Sequence, residues 1–165
     1  MASRLFGHIG GARSVRRCFP QPTLEAIAAA VHECESRHAG EIRFAVEGAL
    51  HLSAVLHGLT PRQRALELFA SLGVWDTEHN NGVLIYVLLA DRAVEIVADR
   101  GVAGGRVPQS EWEAVCRLMQ EHFRAGRFDQ GAIGGVHAVA GVLARYPAGP
   151  LGGRNELPDF PAVIS

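Results

Sequence analysis

The chain has 165 residues, a net charge of −1 and an apolar share of 48%, which suits one domain with a sizeable core and gives no global pull toward nucleic acid. All 16 basic residues are arginine, so Schiff-base chemistry, a lysine general base and a P-loop lysine are excluded. Cys18, Cys34 and Cys116 are far apart and odd in number, against a disulfide framework or a zinc site.

Arg4, Arg13, Arg16 and Arg17 precede the first acidic residue, Glu25. Residues 1–21 therefore read as a basic N-terminal arm, disordered or resting on the domain, with peripheral contact to an anionic membrane as its alternative role. No apolar run is long enough to cross a bilayer, and the expected setting is soluble and cytoplasmic. Residues 22–147 read as the domain. Thr23 is placed to cap a helix in which Leu24, Ile27, Ala28, Val31 and Cys34 recur at helical spacing. Glu41 to Glu47 alternates and predicts a strand with one buried face. Residues 48–59 carry no clear cap and read as a loop or weak helical turn. Thr60-Pro61-Arg62-Gln63 combines a capping box with proline at the first helical position.

Val83 to Ala90 is apolar without a period and predicts a strand buried on both faces. Asp91-Arg92 predicts a tight turn, and Ala93 to Ala98 alternates as a third strand. A glycine-rich loop, Gly101 to Pro108, lacks the glycine spacing of a phosphate loop. Ser110 with Glu113 suggests a second capping box, opening a helix with Trp112, Val115, Cys116, Met119 and Phe123 on one face. Asp129 is placed to cap a last helix, whose Gly131, Gly134, Gly135 and Gly141 imply close packing. The tail, residues 148–165, is rich in proline and glycine and reads as an extended strap.

This order, α-β-α-β-β-α-α, predicts an α/β fold: a three-layer α/β/α sandwich around a small mixed sheet. The first two strands should be parallel with a right-handed crossover, and the third antiparallel to the second. A hairpin sets the start of one strand beside the end of the next. Asp76, Thr77, Asn80 and Asn81 should therefore meet Asp99 and Arg100. Carboxylate, amide and hydroxyl oxygens in that number suit a hard divalent cation, Ca²⁺ or Mg²⁺, although turn-forming asparagines and backbone caps supply the same residues. Arg100 is the candidate phosphate-binding, catalytic residue. The opposite sheet edge carries Glu47, Asp91 and Arg92, at the strand ends where open α/β sheets favour ligands.

The ordered combination of Asp76-Thr77, Asn81-Gly82-Val83-Leu84-Ile85, Asp91-Arg92, Ile96 to Gly101, Trp112, and Phe123 through Leu143-Ala144-Arg145-Tyr146-Pro147 resembles the TPM domain family. The resemblance runs from about Leu24 to Pro147. It implies an α/β/α sandwich, divalent-cation binding and, for some members, acid phosphatase activity. Thr77, Asn81, Gly82 and Asp99 match the family motif cleanly. Many members carry an aspartate before the first helix, where this chain has Phe19-Pro20-Gln21-Pro22. Two functions follow as expectations: a weak metal-dependent phosphatase acting on a small phosphoester, or a non-enzymatic module that recruits a protein partner.

Overall fold

The computed structural model describes residues 11–151 and 153–165. Among them, the element order is α1 (Gly11–Cys18), α2 (Gln21–Glu35), β1 (Glu41–Glu47), α3 (Leu52–Leu56), α4 (Pro61–Ser71), β2 (Gly82–Leu88), β3 (Ala93–Ala98), α5 (Arg100–Ala103), α6 (Gln109–Arg124), α7 (Phe128–Arg145) and β4 (Ala162–Ile164). The sheet runs β3-β2-β1-β4. β1 is parallel to both β2 and β4, and β2 is antiparallel to β3.

Strand alternation divides the core in two. Val83, Ile85 and Val87 of β2 face one layer with Ile42, Phe44 and Val46 of β1, under α1, α2, α6 and α7. Leu84, Tyr86 and Leu88 face the other, with Leu50, Val55, Ala65, Leu68 and Val74 from the α3–α4 side. This is the three-layer sandwich expected. All seven β2 residues are buried, as a strand covered on both faces must be.

Several local expectations change. β1 is buried on both faces, because the tail is not merely a strap. Its last residues form β4 and pair with Ala45, Val46 and Glu47 along the edge of β1, while the backbone of residues 156–160 covers Glu41 and Arg43 and Arg64 covers Glu47. Part of the basic arm is also structural. α1 buries Val15, and Phe19 after it is 1% exposed, with its ring 6.2 Å from Phe44 and 5.7 Å from Phe128. Arg13, Arg16 and Arg17 stay exposed, so the arm's charge faces solvent while its apolar side is in the core. Arg4 and the remainder of the arm lie outside the described residues.

Only one of the expected side-chain caps forms. Thr60 Oγ1 accepts from Gln63 N–H at 3.2 Å and Gln63 Oε1 from Thr60 N–H at 2.9 Å. Prolines open two of the other helices early: α2 has its N-cap at Pro20 and α6 at Pro108, and neither makes a side-chain cap bond. Thr23 and Ser110 therefore fall inside the first turns. α7 begins at Phe128, with Arg127 rather than Asp129 at the N-cap. β2 ends at Leu88, and the hairpin turns through four residues with Arg92 N–H donating to Leu89 O at 3.1 Å. Close packing explains Gly131 and Gly135, where any Cβ would strike Phe123 and Met119 on α6; Gly141 has open space beside it.

Candidate functional site

The hairpin brings the two halves of the expected cluster together at the amino end of β2. Asp99 N–H donates to Gly82 O at 2.8 Å and Gly101 N–H to Asn80 O at 2.9 Å. The preceding loop is folded by its own side chains. Asn81 N–H donates to Thr77 Oγ1 at 3.0 Å, and Asn80 N–H to Thr77 O at 3.1 Å. Asn80 adopts φ 50°, a left-handed conformation that asparagine tolerates better than most residues. Two glycines permit the closeness: a Cβ at Gly82 would strike Val74 O, and one at Gly101 would strike the His79 and Asn80 carbonyls.

Thr77 and Asn81 are buried, at 7% and 3% exposure. Asn81 Nδ2 donates to Ala39 O, which fixes the amide's orientation and leaves Asn81 Oδ1 without a partner. Asp99 Oδ1 accepts from Arg100 N–H at 2.7 Å, and Asp99 Oδ2 is buried without a partner. Among the described residues these are the two buried side-chain oxygens that no hydrogen bond satisfies. Buried oxygens are seldom left so, and an amide and a carboxylate oxygen are the donor types of a hard-cation site. Arg100 donates from Nε to Asn80 Oδ1 at 3.1 Å. Asp76 is exposed. Among the described residues its part in the loop is a backbone N–H donated to Gly73 O at 3.0 Å.

The opposite end of the sheet is organised differently. Glu47, whose side chain is 3% exposed, accepts from Arg64 Nε and Nη2, each at 3.0 Å. It also accepts from Tyr86 Oη at 2.6 Å. Arg64 continues to Glu67 at 3.1 Å. Burial, then the bond to Glu47, pushes the Tyr86 phenol well above its ordinary range. The Glu47 bond raises Arg64 in turn. A cavity of about 380 Å³ opens beside them, lined by His51, His57, Gln63 and Glu67 among others. Arg92 sits in the hairpin with φ 51°. Arg64 and Tyr86 were not foreseen as Glu47's partners. The parity of Tyr86 on β2 was readable, but nothing in the order of residues placed Arg64 over it.

Cys34 and Cys116 are not poised for nucleophilic chemistry. Burial raises the Cys34 thiol, which lies 3.3 Å from His137 Nδ1, and raises Cys116 to about 11, whereas reactive thiols have lowered values.

A family model described as the TPM domain matches residues 17–142. Among solved structures, the BA42 protein from the psychrophilic bacterium Bizionia argentinensis is similar at 28% identity and a TM-score of 0.73, over 87% of this chain and 93% of that one. The N-terminal domain of a protein from P. gingivalis is similar at 26% identity and a TM-score of 0.58, over 74% of each chain. No curated protein matches. Among the described residues, no helix is long and apolar enough to cross a membrane.

Proposed function

Because the chain belongs to the TPM domain family, we propose that it binds a divalent cation at the amino end of β2 and uses it to hydrolyse small phosphate monoesters. The observation that carries this reading is the pair of unsatisfied buried oxygens, Asn81 Oδ1 and Asp99 Oδ2. Asp99 supplies the charge and Asn81 a neutral oxygen. Thr77 braces the loop through the Asn81 N–H and keeps a lone pair for the ion. Asp76 and Asn80 add oxygens on the exposed side of the same loop. Such a cation, when bound, polarises a phosphoryl group and acidifies water. Arg100, exposed and held at Nε by Asn80, offers its Nη groups to the phosphate oxygens.

The test is turnover of a phosphomonoester with Ca²⁺ or Mg²⁺ present. Activity that needs the ion and disappears in Asp99→Ala supports the reading. Cation binding without turnover in the wild type would make the domain a binding module that recruits a protein partner. No binding of either ion would sink both.

A further inference from the structure

Exposed apolar side chains flank the loop that carries Thr77 and Asn81. Trp75 is 54% exposed, whereas Trp112 on α6 is 5% exposed. Trp75 stands between the end of α4 and Asp76. The Val74 carbonyl before it lies against Gly82, the residue whose own carbonyl accepts the Asp99 N–H at 2.8 Å. The backbone of Trp75 is therefore at the foot of the loop. Its indole does not hang free. Nε1–H donates to Ala70 O at 3.2 Å, which pins one edge of the ring to the last turn of α4 and leaves ring surface open to solvent.

The other flank comes from the segment after α7. Gly149 takes φ 131°, and a Cβ there would stand 3.0 Å from the His79 ring, so its backbone lies on that imidazole. Farther on, the Glu156 carboxylate accepts the Glu78 N–H, at 3.2 and 3.0 Å. Leu151, 69% exposed, falls between these two contacts and so beside the same loop. Single exposed apolar side chains are ordinary on a protein surface. Here two of them border the loop that bears the unsatisfied Asn81 Oδ1 and anchors Arg100 through Asn80. Ligand sites are built in that way, from a few convergent polar groups and apolar or aromatic walls.

We propose that the phosphate monoester taken at the amino end of β2 carries an aromatic group, that this group lies on the Trp75 indole, and that Leu151 borders it from the other flank. The proposal rests on the phosphatase reading above and gives it a substrate class. An aryl group is joined to phosphorus through one oxygen. Once the cation and Arg100 hold the phosphate, the ring stays next to the loop. A planar ring matches an indole, through offset stacking or an edge-to-face contact. Asp76, Glu78 and Glu156 are exposed along the same loop and segment. A small ester reaches the cation and Arg100 past them, whereas an anionic bilayer must press its whole charged surface against them. A soluble ester is thus favoured over a lipid phosphate. In hydrolysis the ester's phosphorus–oxygen bond breaks and a bond from phosphorus to the water oxygen forms. The phenol leaves with one proton of that water, and the phosphate keeps the other. Trp75 and Leu151 take no part in this exchange; they bind the leaving group.

The experiment compares phenyl phosphate with glycerol phosphate, whose body is polar, in the full chain with Ca²⁺ or Mg²⁺ present. Phenol is the better leaving group, so each variant is set against the wild type on the same substrate. Trp75→Ala should lower kcat/KM for phenyl phosphate by ~10-fold, the factor of an aromatic contact of ordinary strength, and leave glycerol phosphate within ~2-fold. Trp75→Phe keeps a ring and should restore most of the loss. Leu151→Ser alters an exposed side chain and should lower the phenyl phosphate value by ~3-fold. No loss on phenyl phosphate in Trp75→Ala overturns the proposal. So does an equal loss on both esters, which makes Trp75 a brace of the loop. Turnover of phosphatidic acid in vesicles that exceeds that of phenyl phosphate overturns the aryl class in favour of a lipid. If the wild type hydrolyses neither ester, the phosphatase reading fails, and the aromatic contact is judged by binding alone. Phenylphosphonate and methylphosphonate, which cannot be hydrolysed in this way, are then titrated with Ca²⁺ present and followed at the Trp75 indole N–H by ¹⁵N NMR. A shift with phenylphosphonate and none with methylphosphonate supports the contact; the same response to both, or none to either, overturns it.

Discussion

At the carboxyl end of β1, a buried carboxylate is fully met: Glu47 receives two bonds from Arg64 and one from Tyr86. At the amino end of β2, a buried amide oxygen and a half-buried carboxylate's inner oxygen are left unmet. Both ends gather polar side chains against an apolar sheet, and the carboxyl end has the topological advantage for ligands. The hydrogen-bond account reverses that preference. A closed network stabilises the fold, whereas an open one has capacity left for a ligand. The TPM family match spans both ends and does not by itself choose between them.

The largest expected effect belongs to the closed end. Glu47→Ala leaves the Arg64 guanidinium and the Tyr86 hydroxyl without their shared partner, and removing one member of a buried pair costs about 3–5 kcal/mol. Urea denaturation should show that loss with no change in Ca²⁺ response. A loss below about 1 kcal/mol would mean that solvent or Glu67 satisfies Arg64, and the contrast between the two ends would fail. Tyr86→Phe sharpens the same point at lower cost. It deletes one hydroxyl bonded at 2.6 Å and keeps the ring, so the fall should be about 1–2 kcal/mol. The two changes should be markedly non-additive, since they share Glu47. Additivity within ~0.3 kcal/mol would argue that they act separately.

What could be read in advance follows the range of the forces involved. β2 and β3 were legible because an apolar run and an alternating run are separated by a turn, all within local reach. The hairpin register placed the loop of residues 76–81 beside Asp99 and Arg100, and the structure shows this for Asn80, which accepts from Arg100 Nε, and for Gly82, which accepts the Asp99 N–H. The parallel pairing of β1 with β2 followed from the intervening helix. β4 was hidden because three residues, Ala162 to Ile164, carry no periodicity, and their partner on β1 lies more than a hundred positions away. The polar face of β1 pointed the same way: Glu41 and Arg43 looked solvated, and what covers them is the backbone of a distant segment. Thr23 and Ser110 misled because proline started each helix earlier than its capping residue. Val15 and Phe19 lie among arginines, which left the arm readable either as disordered or as resting on the domain; four residues apart, they share the face that the structure buries.

The smallest change in stability, and the most discriminating result, is expected at the open end. In Asp99→Asn the side chain still accepts the Arg100 N–H, because asparagine and aspartate are equivalent helix caps. The substitution also removes the charge on an oxygen that lacks a partner. Without divalent cation, stability should therefore change by less than about 0.5 kcal/mol, in clear contrast to Glu47→Ala. With cation the two proteins should part. A ligand that binds only the folded state stabilises it by RT ln(1 + [L]/Kd), about 2.7 kcal/mol at a hundredfold excess over Kd. The wild-type melting temperature should rise on adding Ca²⁺ or Mg²⁺, and that of Asp99→Asn should rise far less. Magnesium and calcium added to the same ionic strength control for simple screening. If Asp99→Asn loses several kcal/mol without any cation, Asp99 belongs to a closed structural network like that of Glu47. If both proteins gain equally from the ion, the cation binds elsewhere, and the unsatisfied oxygens at β2 are not its site.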